Sequence, residues 1–102
     1  MPGTAVDLYY GRGGVAEADW QDYLERSVVA RFPDGMTVFD GAGRWRDPAS
    51  GRIAAEDSKV VRLVLPDARA ADGALRAAIE DYKRRFAQQS VLRVEQNVCH
   101  AF

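Results

Sequence analysis

The stretch DLYYGRGGVAEADW, Asp7–Trp20, decides between two folds. Read one way, Gly11, Gly13 and Ala16 fit a dinucleotide fingerprint between a strand and a helix, and Asp40, closing MTVFD, stands where a ribose partner belongs. That reading demands a parallel α/β sheet. Read the other way, GRGG is a flexible turn joining one strand to one amphipathic helix. Glu17 and Asp19 favour the turn, because carboxylates in the first helical turn occupy the positive end that a pyrophosphate needs. Beyond Asp40 the chain continues as a glycine-rich hairpin pattern rather than a second parallel crossover, and no Lys-Ser or Lys-Thr completes a phosphate loop.

Outward from the turn, the elements emerge from periodicity. Ala5–Tyr10 alternates, with Val6, Leu8 and Tyr10 on one face and Asp7 and Tyr9 on the other. Trp20, Tyr23, Leu24, Val28 and Phe32 fall at helical spacing, and Pro33 with Gly35 ends that helix. MTVFD predicts a strand, the glycines and Pro48 after it a hairpin or meander around Trp45, and SKVVRLVLP a central strand stopped by Pro66. Leu75, Ala78, Ile79, Tyr82 and Phe86 form the stripe of a second helix, and SVLRVEQNV closes the chain as a strand. No repeat or linker divides residues 1–102. Two helices cannot cover both faces of a four- or five-stranded sheet, so the predicted fold is a single α+β domain. It is a ferredoxin-like two-layer sandwich with a mainly antiparallel sheet and both helices on one face.

Leu8, Tyr9, Tyr10, Gly11 and Arg12, then Glu17, Asp19 and Trp20, then RFPDGMTVFD, GRWRDP, SKV and SVLRVE, occur in that order along the chain. In this ordered set the sequence resembles the bacterial family known as domain of unknown function 3574. The resemblance spans most of the chain and implies no activity that could be carried onto particular residues. It does imply export or lipoprotein signals in many members, and this chain departs from that by reaching its first strand almost at once.

The remaining composition narrows the classes of function. A net charge of −1 leaves no basic face for a nucleic-acid backbone, and Lys83, Arg84 and Arg85 read as cations at a helix C-terminus. The start lacks a basic n-region and an apolar core, so the expectation is a cytoplasmic protein without membrane contact. One cysteine, Cys99, and one histidine, His100, leave neither a disulfide nor a histidine metal site within one chain, and no cofactor or metal is expected. Adjacent strand residues face opposite ways, so these two read as a buried thiol and a surface imidazole. Pro2 as an N-terminal base is disfavoured because Gly3 and Thr4 separate it from the strand, and it reads as a disordered tail.

The candidate site comes from strand parity. With the helices over Val6, Leu8, Tyr10, Val61, Leu63, Leu65, Leu92 and Val94, the open face carries Asp7, Tyr9, Arg62, Arg93 and Glu95, beside an apolar strip of Val60, Val64 and Val91. The expected use is small-molecule binding in an α+β barrel made by a homodimer joined through this face. Within it Asp7 or Glu95 serves as proton acceptor, Tyr9 as donor, and Arg62 and Arg93 as substrate anchors, with Trp45 and Arg46 as a lid. That constellation suits a cofactor-independent acid/base enzyme, isomerase-, cyclase- or oxygenase-like, on an aromatic or enolisable substrate. A non-catalytic ligand-sequestering or protein-interaction module is the alternative, since cross-strand ion pairs on a solvated face use the same residues.

Overall fold

The computed structural model describes residues 1–102. Strand β1, Pro2–Gly11, leads through the glycine turn into helix α1, Glu17–Tyr23, which continues as a π-helical segment over Leu24–Val29. Strands β2, Thr37–Arg46, and β3, Ile53–Leu65, form a long hairpin; helix α2, Asp72–Phe86, and strand β4, Leu92–Cys99, complete the chain. The four strands lie in the order β2-β3-β1-β4, every neighbouring pair antiparallel. This is the expected α+β sandwich of the ferredoxin-like kind. No helix is long and apolar enough to cross a membrane.

Both helices pack on the face bearing Val6, Leu8, Tyr10, Val61 and Leu63, all essentially inaccessible, as are Trp20, Tyr23, Val28, Leu75, Ala78 and Tyr82 from the helices. Tyr10 is the hub. Its ring meets those of Tyr82, Trp20 and Tyr23 edge-on at centroid distances of 4.7, 5.0 and 5.6 Å, the geometry in which a ring edge meets the electron-rich face of its neighbour. The Tyr23 hydroxyl donates to Ala78 O at 2.7 Å and lies 3.0 Å from the Tyr10 hydroxyl, which is left to donate back. Burial pushes the proton affinity of both phenols up, so both remain donors at any physiological pH.

The one buried ammonium, Lys59, also lies on the helix side, held by Asp40 of β2 at 2.5 Å and Glu17 of α1 at 3.1 Å. Asp40 and Glu17 therefore anchor the hairpin to the first helix. Arg12 adds a second ion pair to Glu17 at 2.9 Å, so this acid beyond the glycines is already engaged with cations of its own chain.

Several local expectations are corrected. Pro2–Thr4 is no tail: Pro2 pairs with Cys99 and Gly3 with Val98 at the end of β1. Cys99 is exposed, whereas the His100 ring lies over Gly3 with its Nδ1 enclosed, the reverse of the expected pair. Val91 packs against the core rather than joining the strip on the open face. β2 runs on through Gly41 and Gly43 to Arg46, so Trp45 stands on a strand. The turn is Asp47–Arg52, closed by the Asp47 N–H to Arg52 O bond at 2.9 Å.

Candidate functional site

β1 ends its pairing with β3 at Gly11 opposite Ser58, but β2 and β3 remain paired for five more rungs, from Ala42–Asp57 to Arg46–Ile53. The hairpin therefore projects past the body as a two-stranded arm. In the angle between arm and body lies a cleft of about 640 Å³, lined by Tyr9, Tyr10 and Gly11 of β1, Gly43 to Trp45 and Glu56 of the arm, Ala87 to Ser90 after α2, and Leu92. Its walls mix aromatic and aliphatic surface with amides, hydroxyls, the Arg44 guanidinium and one carboxylate, as small-molecule sites do.

That carboxylate is Glu56. Its Oε1 sits 2.1 Å from where a β-carbon on Gly11 would be, and its Oε2 2.7 Å from a β-carbon on Gly13. Glycine at both positions makes room for it. None of the ion pairs or hydrogen bonds of the chain engages the Glu56 side chain, unlike Glu17, Asp40, Asp7 and Asp81, each of which holds a cation. Nearby, the Tyr82 hydroxyl donates to Gly11 O at 2.5 Å; burial, with the negative charge of Glu56 adding to it, pushes this phenol up to about 12. Behind the cleft wall, therefore, a protonated phenol holds the Gly11 carbonyl, while within the cleft the Glu56 carboxylate has no such partner. The wall opposite contains Ala87, whose φ of 51° is left-handed, a conformation that costs an L-residue about 1–2 kcal/mol.

The open face of the sheet holds only part of the expected constellation. Asp7 and Arg62 stand opposite each other in the β1–β3 ladder and form a two-pronged pair, Nε to Oδ1 and Nη2 to Oδ2, both at 2.8 Å. The guanidinium hydrogen bonds hold Asp7 below the usual carboxylate range despite burial, which opposes that shift, and the result is a poor base. Arg62 reaches across to the Phe39 ring, 6.0 Å from its centroid. Tyr9 lies on the same face and is also a wall of the cleft.

Arg93 and Glu95 do not join them. In the β1–β4 ladder Leu8 pairs with Arg93 and Val6 with Glu95, and directly paired residues share a face, so both point to the helix side. There Arg93 bonds Asp72 at the start of α2 at 2.9 Å and Glu95 at 2.6 Å, while Leu92 and Val94 face outward. The physical reason is that β4 is an edge strand. Its helix-side margin is crossed by the polar start of α2 rather than by its apolar stripe, so charge belongs inside and the aliphatic residues lie on the apolar open face. Arg46 is separated from Trp45 in the same way: it pairs with Ile53 on the other face of the arm and does not line the cleft.

The residues that the sequence reading missed are Glu56, Gln88, Gln89 and Leu92. Glu56 was within reach of parity, since it alternates with Ser58, Val60 and Arg62, but β3 begins at Ile53 rather than at Ser58. A larger concavity of about 940 Å³ opens at the other end of the molecule, among Phe32, Pro33, Met36, Val64 and the chain ends. Both arginines at its rim, Arg31 and Arg62, are already paired with Asp81 and Asp7, and its one carboxylate, Asp34, is exposed to solvent rather than set into a wall.

Comparison with known proteins places the sequence and the fold. Residues 6–102 match the family described as "Protein of unknown function (DUF3574)". No curated protein matches. Among solved structures, a phage SAM lyase in complex with S-methyl-5'-thioadenosine superposes with a TM-score of 0.69 at 16% identity, over 92% of this chain and 80% of that one. The phage SAM lyase in its apo state gives a TM-score of 0.68 at 14% identity, over 94% and 81%. At that identity the likeness is one of fold.

Proposed function

Because the chain belongs to the DUF3574 family of proteins of unknown function, its activity must be read from its own geometry, and we propose that it binds a small molecule in the cleft between arm and body. The ligand carries a flat ring and a cationic or hydrogen-donating group. One observation carries this reading: the Glu56 carboxylate, admitted by two glycines, has no cation or donor of its own chain. A carboxylate facing partly apolar walls gains most from a charged or donating partner, a contact worth roughly 1.5–3 kcal/mol. Tyr9 and Trp45, 38% and 49% exposed, offer aromatic surface on which a base-like ring stacks. The class named by the structural neighbours fits these needs, since S-methyl-5'-thioadenosine presents an adenine ring and SAM adds a sulfonium cation.

The acid/base reading moves with the site. Asp7, locked by Arg62, is replaced as proton acceptor by Glu56, and Tyr9 remains the hydroxyl within the same cleft. Calorimetric titration with S-methyl-5'-thioadenosine and with SAM tests the binding, and chromatography of SAM after incubation tests turnover. The expected result is saturable binding that Trp45→Ala abolishes and Glu56→Gln weakens roughly tenfold to a hundredfold for SAM, from the loss of a charge-assisted contact. Absence of binding by both compounds, or binding indifferent to both substitutions, contradicts this assignment.

A further inference from the structure

The face of the sheet turned away from the helices has no cover within the chain. Phe39 is 45% exposed there, Val64 44% and Leu92 60%, with Val60 and Val94 half-buried between them. Scattered apolar residues on a surface need no explanation, but these are contiguous: Phe39 pairs with Val60, Tyr9 with both Val60 and Leu92, and Asp7 with Val94. On the arm the same face continues to Trp45, which pairs with Ala54.

We infer that this face is a homotypic interface, and that its occupant is a second copy of this chain related by a two-fold axis. Charge argues for a copy of itself. Across the body of the face the charged side chains are Asp7 and Arg62, and they neutralise each other through two hydrogen bonds, so a like face meets no unpaired charge there; the one free carboxylate of this face, Glu56, stands on the arm and is turned into the cleft. A partner of opposite charge would find nothing to pair with, whereas an isologous contact needs only self-complementary apolar relief. Area argues the same way. Four strands about 4.8 Å apart and about eight residues long at 3.3 Å each cover about 500 Å² in projection. The five additional rungs of the arm bring this to about 650 Å², and side-chain relief raises it towards the roughly 800 Å² per partner of a standard interface. The arm supplies an independent reason, since a two-stranded hairpin is marginally stable unless something packs on it. Tyr9, Trp45 and Leu92 belong to both the face and the cleft, so the second copy would close the cleft on its open side.

The inference is independent of the ligand reading, because it is tested without ligand. Sedimentation equilibrium of the whole chain at micromolar concentrations is expected to give twice 11.3 kDa, and Val64→Glu, an outward substitution away from the cleft, to give the single-chain mass with an unchanged far-ultraviolet spectrum. Tryptophan emission of the wild type provides a reading that needs no variant: Trp20 is buried in the core whether or not the face is covered, so dilution should shift the total emission to the red through Trp45, in step with the loss of mass. A wild-type monomer, a Val64→Glu dimer, a trimer or larger ring, or an emission that ignores dilution would each overturn the interface.

Discussion

At Gly11 a methyl group would come 2.1 Å from Oε1 of Glu56, so the alanine variant reads out the cleft residue by residue. The clash is with the mobile end of a side chain, so Gly11→Ala is expected to swing Glu56 aside and leave stability within about 1 kcal/mol of wild type, since alanine is the better strand residue. Affinity for SAM should fall by roughly tenfold to a hundredfold, matching Glu56→Gln, in the same calorimetric titration. Equal binding in Gly11→Ala and wild type would separate the glycines from the site. Asp7 behaves differently. Its folded-state proton affinity is lowered by Arg62, so its contribution to stability is complete above the unfolded carboxylate range and is lost as pH falls through the lower folded value. In Arg62→Met the carboxylate keeps its burial and loses its partner, so its affinity for protons should rise above the unfolded value. The sign then inverts: the melting temperature of the variant relative to wild type should fall as pH is raised from about 4 to about 7. A constant difference across that range would show that the pair does not control Asp7.

Among the elements, α1 and α2 are joined through Tyr23, whose hydroxyl bonds Ala78 O of α2 and the Tyr10 hydroxyl of β1. Tyr23→Phe leaves the Tyr10 hydroxyl enclosed without its partner and should cost about 1–3 kcal/mol in denaturant unfolding, with a cooperative transition retained. A loss below the detection limit would place the hydroxyl bonds outside the stability of the core. The C-cap of α2 is the opposite case. Ala87 holds a left-handed conformation usually given to glycine, so Ala87→Gly is expected to stabilise the protein by about 1 kcal/mol, measured the same way. The elements also show where sequence reasoning stops. β1, both helices and the central part of β3 were legible because one face of each is apolar and the other is not, and the glycine-rich hairpin pattern after Asp40 correctly excluded a parallel crossover. β4 was not legible, because Leu92 and Val94 match the apolar open face as well as they would a core, and alternation alone cannot say which apolar surface a strand addresses. The arm was missed because Gly41 and Gly43 read as turn residues. On β2 they lie flat beside Ser58 and the Glu56 backbone, where a β-carbon would meet neighbours at 2.6 and 3.0 Å.

On the scale of the whole molecule, the projecting arm stretches a small domain to 46 × 25 × 22 Å and creates a cleft that no single element contains. The fold class is set by local pattern, whereas the cleft depends on how far β2 and β3 outrun β1, a long-range property of register. The same extension joins the proposed ligand site to the proposed interface, since the face of the arm that bears Trp45 serves both. The central claim is that a small aromatic ligand occupies the angle between arm and body beside Glu56. Amide chemical-shift mapping of the isotope-labelled protein during titration with SAM and with S-methyl-5'-thioadenosine tests it most directly. The expected result is saturable shifts confined to Tyr9–Gly13, Gly43–Trp45, Glu56 and Ala87–Leu92. Shifts centred instead on Phe32–Met36 and Val64–Pro66 at the opposite end, or no saturable shifts with either compound, would contradict it.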